Sequence, residues 1–199
     1  MSRPILLATT NPGKLRELRE LARGLELLSP DQLPGLPPVE ESEPTLLGNA
    51  RKKALAWSRA SGVAALADDS GLFVDALAGR PGVHSARYAP GDDSARVARL
   101  LEEMGEVPDS ARGASFRCVL CLAAPRGQTV AEEGVWCGLV THEPRGGGGF
   151  GYDPVLLLPD LGRTVAELGA EEKSRLSHRA RAFARMQPWL AAYRQGRWP

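Results

Sequence analysis

The sequence predicts a mixed α/β domain. Apolar runs of strand length alternate with segments in which leucine and alanine recur at helical spacing, without a strict internal repeat. Hydrophobic residues make up 43% and charged residues 25% of the chain, which are ordinary values for a globular protein. The length of 199 residues fits one compact domain or two closely joined lobes.

The first predicted elements are a strand, a helix, a loop and a second helix. Residues 4–9 form a short apolar run, and residues 13–25 follow with their leucines at helical spacing. Residues 29–44 are rich in proline and lack periodicity, which indicates a loop. Thr45 is suited to cap a helix over residues 46–60, and a glycine soon after is its predicted stop.

A helix and three strands are predicted in the second half of the chain. Residues 92–105 have helical spacing, with Asp93 as a candidate cap. Residues 114–124 and 129–140 are predicted as neighbouring strands of an antiparallel hairpin. Residues 154–159 form a short buried strand, and the chain after it is mainly helical.

Two adjacent aspartates lie at the end of residues 63–68, which are predicted to be a buried strand. Asp68 and Asp69 precede Ser70 and a glycine, and this composition is typical of a simple turn. Carboxylates are costly to bury unless they are paired, hydrogen-bonded or bound to a metal. The predicted strand end is therefore either a capped turn or a reaction centre.

Polar segments earlier in the chain are candidates for binding phosphate and metal. Residues 9–14 (TTNPGK) lie between the first strand and helix, where free N–H groups favour an anion. The spacing of a Walker A loop is absent, and an ordinary asparagine-capped helix is the alternative. Glu40 and Glu41 are either solvated acids or part of an oxygen cage for Mg²⁺ with the two aspartates.

Two later segments are candidates for binding a ligand. Residues 145–154 set two aromatic rings among glycines, which indicates either a bare hairpin tip or a base-stacking platform. If Ser177 caps a helix, His178 and Arg179 lie in its first turn, with Lys173 shortly before them. The alternative for this segment is the solvated face of a basic amphipathic helix.

Composition argues against several classes of protein. The chain has 25 Lys and Arg against 24 Asp and Glu, so no large basic footprint for nucleic acid is expected. No stretch is apolar enough to cross a bilayer, and the first residues do not resemble a signal peptide. Three cysteines, an odd number, argue against a secreted disulfide framework. A cytoplasmic protein without membrane or nucleic-acid partners is predicted.

The cysteine and histidine residues do not form a redox or zinc motif. Cys118 and Cys121 have the C-x-x-C spacing, but they lie in a predicted strand, where residues three apart face opposite sides. The three histidines are scattered, without the spacing of a zinc site. Both cysteines are predicted to be small core residues.

Five motifs stand in order along nearly the whole chain. They are Thr9, Asn11, Lys14 and Glu17 of T-x-N-x-x-K-x-x-E, ADDSG at 67–71, PGVHSARY at 81–88, GFGYDP at 149–154 and EKSRLSHR at 172–179. Together they resemble the inosine/xanthosine triphosphate pyrophosphatase family, enzymes that hydrolyse deaminated purine nucleoside triphosphates. Gly48 is a departure, because the family commonly has an acid at that position.

The resemblance implies an elongated, mixed-sheet α/β fold, with two lobes around a central cleft and residues 1–199 in a single domain. It implies a homodimer that uses Mg²⁺ and a purine nucleoside triphosphate substrate. Asp69 is implied as the proton acceptor and a metal ligand, and Glu40 as the second ligand. The implied substrate-binding residues are Thr9, Thr10, Asn11, Pro12, Gly13, Lys14, Ser70, Phe150, Gly151, Tyr152, Asp153, Lys173, His178 and Arg179.

Two other functions are considered beside this one. A non-catalytic nucleotide-binding regulator would keep the binding residues without turnover, and the set of Lys14, Glu40 and Asp69 argues against it. A phosphomonoesterase with an aspartyl nucleophile would have D-x-D at a strand end, whereas here the acids are adjacent.

Overall fold

The computed structural model describes residues 3–198. Its strands are β1 (Ile5–Ala8), β2 (Leu27–Leu28), β3 (Ala64–Val74), β4 (Gly113–Ala123), β5 (Thr129–Val140), β6 (Leu156–Leu158) and β7 (Arg163–Thr164). Its α-helices are α1 (Pro12–Leu21), α2 (Leu46–Ser61), α3 (Asp93–Glu103), α4 (Ala170–Leu176) and α5 (His178–Arg194). No helix within the described residues is long and apolar enough to cross a membrane.

The seven strands form a mixed sheet in the order β2-β1-β3-β4-β5-β6-β7. β1 pairs in parallel with β2 and β3, whereas β6 pairs antiparallel with β5 and β7. β4 and β5 are neighbours joined by a tight turn, in which the Ala124 N–H donates to the Gln128 carbonyl at 2.9 Å. The predicted mixed α/β class and the predicted hairpin are confirmed. β2 and β7, of two residues each, were not predicted.

The chain divides into two compact units. The first comprises residues 3–69, 118–134 and 179–198. Its core lies where α1 and α5 cover β1, β3 and β4, with Leu7, Leu18, Leu66, Leu120 and Phe183 among its buried side chains.

The second unit comprises residues 70–117 and 135–178. Its core includes Leu72, Leu100, Phe116, Trp136 and Leu156. The buried guanidinium of Arg112 stabilises this unit, because it donates hydrogen bonds to four backbone carbonyl groups. These belong to Met104, Val107, Val140 and Thr141, at 2.7–3.0 Å.

The predicted helix caps are confirmed at two positions. Asn11 and Thr45 each accept a hydrogen bond from a backbone N–H in the first turn of their helix, and Gly62 adopts the left-handed conformation after α2. The prediction was wrong at α3, where Asp92 is the cap and Asp93 is the first helical residue. Both carboxylates occur at this helix start, and the sequence does not show which one reaches the Ala95 N–H.

The prediction that the two aspartates end a strand was also wrong. β3 continues through them to Val74, because Leu72 and Val74 are packed in the core of the second unit. Gly71 does not make a turn. A Cβ atom there would lie 2.2 Å from the carbonyl oxygen of Gly82, so glycine permits a close approach of two backbone segments.

Candidate active site

The connection between β1 and α1 presents a helix N-terminus. The Asn11 side chain accepts from the Lys14 N–H at 3.1 Å, and the Thr9 hydroxyl accepts from the Asn11 N–H at 3.2 Å. Thr10, Asn11 and Pro12 are exposed, whereas Thr9 is buried. Because the first N–H groups of a helix have no partner within the helix, this segment is suited to bind an anion.

Asp68 binds two cationic side chains in the interior of the first unit. Its side chain is 0% exposed, with Oδ1 2.6 Å from Lys14 Nζ and Oδ2 2.7 Å from Arg179 Nε. The Cys118 thiol donates to Oδ2 at 3.0 Å, and Arg179 also forms an ion pair with Glu17. Burial raises the pKa of Asp68, but Arg179 and Lys14 outweigh burial and hold this pKa well below the ordinary value. Asp68 is therefore ionised, and both of its carboxylate oxygens are bound by neighbouring side chains.

These contacts keep the side chains of Lys14 and Arg179 positively charged although they are buried. Burial disfavours the charged ammonium of Lys14, yet Asp68 leaves the pKa of Lys14 above its ordinary value. Arg179 is 1% exposed, and the carboxylates of Asp68 and Glu17 raise its pKa against the effect of burial. Lys14 is thus a fixed positive charge in the first turn of α1.

Asp69 differs from its neighbour Asp68 because successive residues of a strand point to opposite faces of the sheet. It is 3% exposed, and its Oδ2 is buried without a hydrogen-bond partner among the described residues. Lys53 Nζ lies 3.9 Å from Oδ1 and donates to the Asp68 carbonyl at 2.7 Å. Burial raises the pKa of Asp69 to about 6, although Lys53 and Lys14 lower it, and Glu41 adds to the rise.

Glu41, rather than Glu40, lies beside these groups. Glu41 forms an ion pair with Lys53, whereas Glu40 is exposed. The surrounding loop is held on α2, because the Trp57 indole donates to the Pro37 carbonyl at 2.9 Å. The role of Glu40 as a metal ligand stays a prediction.

A divalent cation fits this group of residues. No group of three or more His, Cys, Asp or Glu side chains arranged for a metal occurs within residues 3–198. Mg²⁺ does not need one, because it is usually bound by one or two carboxylates, with water and substrate phosphates completing its shell. The unpartnered Oδ2 of Asp69 and the carboxylate of Glu41 provide oxygen donors of that kind.

In the second unit, residues 149–152 form a segment that we call the aromatic loop. The buried carboxylate of Asp153 accepts from the Phe150 N–H at 2.9 Å and binds Lys173 Nζ at 2.5 Å. Lys173 Nζ lies 4.7 Å from the centroid of the Phe150 ring, as in a cation–π contact. Phe150 itself is half-buried.

Other residues of the second unit restrain the same loop. The Gly151 N–H donates to Asp93 Oδ2 at 2.7 Å, and the Tyr152 hydroxyl donates to the Ser85 carbonyl at 3.0 Å. Tyr152 is a buried core residue, and burial raises its pKa. A nucleotide contact of its side chain stays a prediction.

His178 is the first residue of α5. It is 6% exposed, and its ring stacks on Phe116, with ring centroids 4.9 Å apart and planes inclined by 23°. Ser177 directly precedes the helix and is buried. Ser70 follows Asp69 in β3 and is half-buried.

The structure thus brings together two groups of the predicted residues. In the first unit, Lys14 and Arg179 share the carboxylate of Asp68. In the second unit, Phe150, Asp153 and Lys173 contact one another. The surroundings of most of the other predicted positions are given above: Thr9 to Pro12, Glu40, Asp69, Ser70, Gly151, Tyr152 and His178. Gly13 is a buried residue in the first turn of α1.

Sequence reasoning missed the roles of Lys53, Cys118 and Asp93. Lys53 is one helical turn from Asn49 in α2, but its contact with β3 depends on how α2 packs. Cys118 is 50 residues from Asp68, and Asp93 is 58 residues from Gly151. Pairs so distant along the chain leave no local signal in a single sequence.

Comparison with known proteins identifies the family. Residues 5–189 match the Ham1 family. A protein of Geobacillus kaustophilus named dITP/XTP pyrophosphatase is 48% identical over 186 residues, covering 92% of this chain and 91% of its own. A protein of the same name from Geobacter sulfurreducens is 46% identical over 190 residues, covering 94% of this chain and 96% of its own.

Solved structures agree with the sequence matches. A HAM1 protein from Coxiella burnetii is 40% identical with a TM-score of 0.87, covering 95% of this chain and 98% of that one. The Ham1 protein of Staphylococcus aureus is 34% identical with a TM-score of 0.86, covering 96% of this chain and all of that one. These matches confirm the resemblance carried by the five motifs, and the chain belongs to the Ham1 family.

Proposed function

We propose that this protein hydrolyses deaminated purine nucleoside triphosphates (ITP, dITP and XTP) to the monophosphate and pyrophosphate, and so removes them from the nucleotide pool. Relatives 46–48% identical over most of the chain are named dITP/XTP pyrophosphatases. The Asp69 carboxyl group is the observation that carries the proposal. It is buried, flanked by Lys14 and Lys53, and keeps one oxygen without a hydrogen-bond partner among the described residues.

The triphosphate is proposed to bind at the start of α1. Residues 9–14 offer backbone N–H groups, and Lys14 adds a positive charge that Asp68 holds in position. Asp68 and Glu17 together balance the charges of Lys14 and Arg179, so the helix N-terminus and the position of Lys14 in its first turn, rather than a net charge of this cluster, suit an anionic ligand. Arg179 is proposed to act by fixing Asp68, and its contact with the base stays a prediction.

Asp69 is proposed to accept a proton from the attacking water. A pKa of about 6 leaves its carboxylate mostly ionised at neutral pH while keeping it more basic than an exposed aspartate. Its neighbour cannot take this role, because both oxygens of Asp68 are already bound by Lys14, Arg179 and Cys118.

Mg²⁺ is the proposed cofactor, held by Asp69 and an acid of the pair at 40–41. Glu41 is favoured by its contact with Lys53 and its effect on the pKa of Asp69. When bound, the ion would offset the charge of the phosphates and orient them for in-line attack. Lys53 keeps Glu41 and Asp69 close together by attracting both carboxylates.

The base is proposed to contact the second-unit residues, with Phe150 stacking on the ring and His178 donating to the oxygen at C6. Hypoxanthine and xanthine carry an acceptor at C6, whereas adenine carries an amino donor. A donor left unpaired by adenine would cost about 1–3 kcal/mol, which favours the deaminated bases over ATP. Ser70, Gly151 to Asp153 and Lys173 are proposed to complete this set of contacts.

The family resemblance also supports coarser proposals about the whole protein. We propose that residues 1–199 act as one functional domain, as a homodimer, in the cytoplasm where the nucleotide pool lies. Analytical ultracentrifugation of the purified chain tests the dimer, and a single species of monomer mass at micromolar concentration would contradict it.

The experiment that tests the function measures pyrophosphate release from a panel of nucleoside triphosphates, with Mg²⁺ and with EDTA. We expect release from ITP and XTP far above that from ATP, and none with EDTA. Asp69→Asn should remove turnover, whereas Asp160→Asn, at an exposed aspartate, should not. Release of orthophosphate instead of pyrophosphate, or equal rates with ATP and ITP, would contradict the proposal.

A further inference from the structure

The aromatic loop contains two glycines that give its backbone unusual freedom. Gly149 and Gly151 have φ angles of 76° and 65°, in the left-handed region that favours glycine. Phe150 lies between them, so the direction of its ring depends on how the neighbouring peptide groups are held. The loop is restrained on one side by Asp153, three residues further along the chain, through the Phe150 N–H.

The restraint on the other side comes from a distant part of the chain. The Gly151 N–H donates to Asp93 Oδ2 at 2.7 Å, and the other carboxylate oxygen of Asp93 binds Arg96. Asp93 is the first residue of α3, and the helix cap is its neighbour Asp92, which accepts from the Ala95 N–H at 2.9 Å. The contact with Gly151 is therefore not needed to begin the helix.

The charge of Asp93 suits this contact. A hydrogen bond to an ionised carboxylate is stronger than one between neutral groups. Partial burial raises the pKa of Asp93, but the Gly151 N–H and Arg96 outweigh burial and lower it. The side chain is 47% exposed, so its replacement leaves no buried cavity and the fold should tolerate it.

We propose that Asp93 is a positioning residue that fixes the aromatic loop to α3 and thereby sets the affinity and base selectivity of the site. This rests on the proposed function, in which Phe150 stacks on the base. Without Asp93, Gly151 samples other backbone conformations and the Phe150 ring loses its preset direction. Substrate binding then carries the cost of ordering the loop, which raises KM more than it lowers kcat.

The first measurement is hydrogen exchange at the Gly151 amide, which does not depend on activity. In Asp93→Ala we expect exchange in the aromatic loop to be about tenfold faster than in the wild type. Asp92→Ala removes the helix cap, and Arg96→Ala removes the ion pair, but neither removes the acceptor of the Gly151 N–H. Both should leave the exchange rate within about twofold of wild type.

The second measurement is steady-state kinetics with ITP and ATP. Asp93→Ala should raise KM for ITP by about three- to tenfold and leave kcat within about twofold of the wild-type value. The preference for ITP over ATP, measured as the ratio of their kcat/KM values, should decrease. Asp93→Asn retains an acceptor oxygen and should recover most of the exchange protection and of the affinity.

Unchanged exchange at Gly151 in Asp93→Ala would overturn the positioning role, whatever the kinetics. Faster exchange with an unchanged KM would also overturn it, because the loop would then be fixed by Asp93 without serving the substrate. A wild-type protein that does not release pyrophosphate from ITP would refute the proposed function instead. In that case the exchange data still decide whether Asp93 holds the loop.

Discussion

Replacing Asp68 and Asp69 separately with asparagine is expected to change stability in opposite directions, although the two residues are adjacent. Asp68 is fully buried between Lys14 and Arg179, at 2.6 and 2.7 Å. Asp68→Asn leaves both cations without this counter-charge, and breaking a buried ion pair costs about 3–5 kcal/mol. For a chain of this size, that loss lowers the midpoint of thermal unfolding by about 6–20 °C.

Asp69→Asn should have the opposite effect in the metal-free protein. The pKa of Asp69 rises from 3.8 to about 6 on folding, because burial disfavours its charge. The difference between these values sets an upper limit of about 3 kcal/mol for the destabilisation of the folded protein at neutral pH. Removal of the charge should therefore raise the midpoint by up to several degrees.

The assay is thermal and urea unfolding in EDTA at several pH values. The pKa of Asp68 is lowered on folding, so its stabilisation is present above its ordinary pKa of 3.8 and is lost as the pH falls through the lower folded value. The free energy of unfolding of Asp68→Asn should then lie below that of the wild type by a constant amount from pH 7 to about 4, and the difference should shrink below that pH. The increase in the free energy of unfolding of Asp69→Asn over the wild type should reach its maximum above pH 6 and vanish near pH 4.

The exposed Asp160→Asn serves as the control and should unfold like the wild type. Similar losses of stability in both buried variants would refute the reasoning, because they would show that the two carboxylates have equivalent surroundings. An Asp68→Asn deficit below about 1 kcal/mol would show that Glu17 or solvent compensates Arg179 and that the buried pairs contribute little.

Three further outcomes are expected. Asp69→Asn should lower kcat with ITP by about 10²–10⁴-fold, and a folded variant that keeps a tenth of wild-type turnover would not have lost the base. Phe150→Ala should raise KM for ITP by about fivefold to a hundredfold through lost stacking, and an unchanged KM in steady-state assays would contradict base stacking. Arg112→Met should lower the urea unfolding free energy by about 3–6 kcal/mol, because three buried carbonyls and one partly buried carbonyl lose their donor. A loss below about 1 kcal/mol would show that water replaces the guanidinium.

Local chemistry in the sequence was sufficient for the elements that begin and end on their own signals. Asn11 and Thr45 mark helix starts, because their side chains accept from N–H groups three residues later. The motif ADDSG contains both aspartates, and strand geometry directs Asp68 and Asp69 to opposite faces of β3. β2 and β7 were missed, because two-residue strands depend on their partners rather than on their own periodicity.

Only the tertiary structure decided what each acid does. Asp68 contacts Arg179 across 111 residues of sequence and forms a buried ion pair with it, whereas Asp69 has a raised pKa and one oxygen without a hydrogen-bond partner in residues 3–198. Glu41 and Asp93 were distinguished from Glu40 and Asp92 in the same way, by which carboxylate of an adjacent pair meets a donor from elsewhere in the chain. Such differences depend on burial and on contacts between distant residues, and composition and local spacing do not encode them.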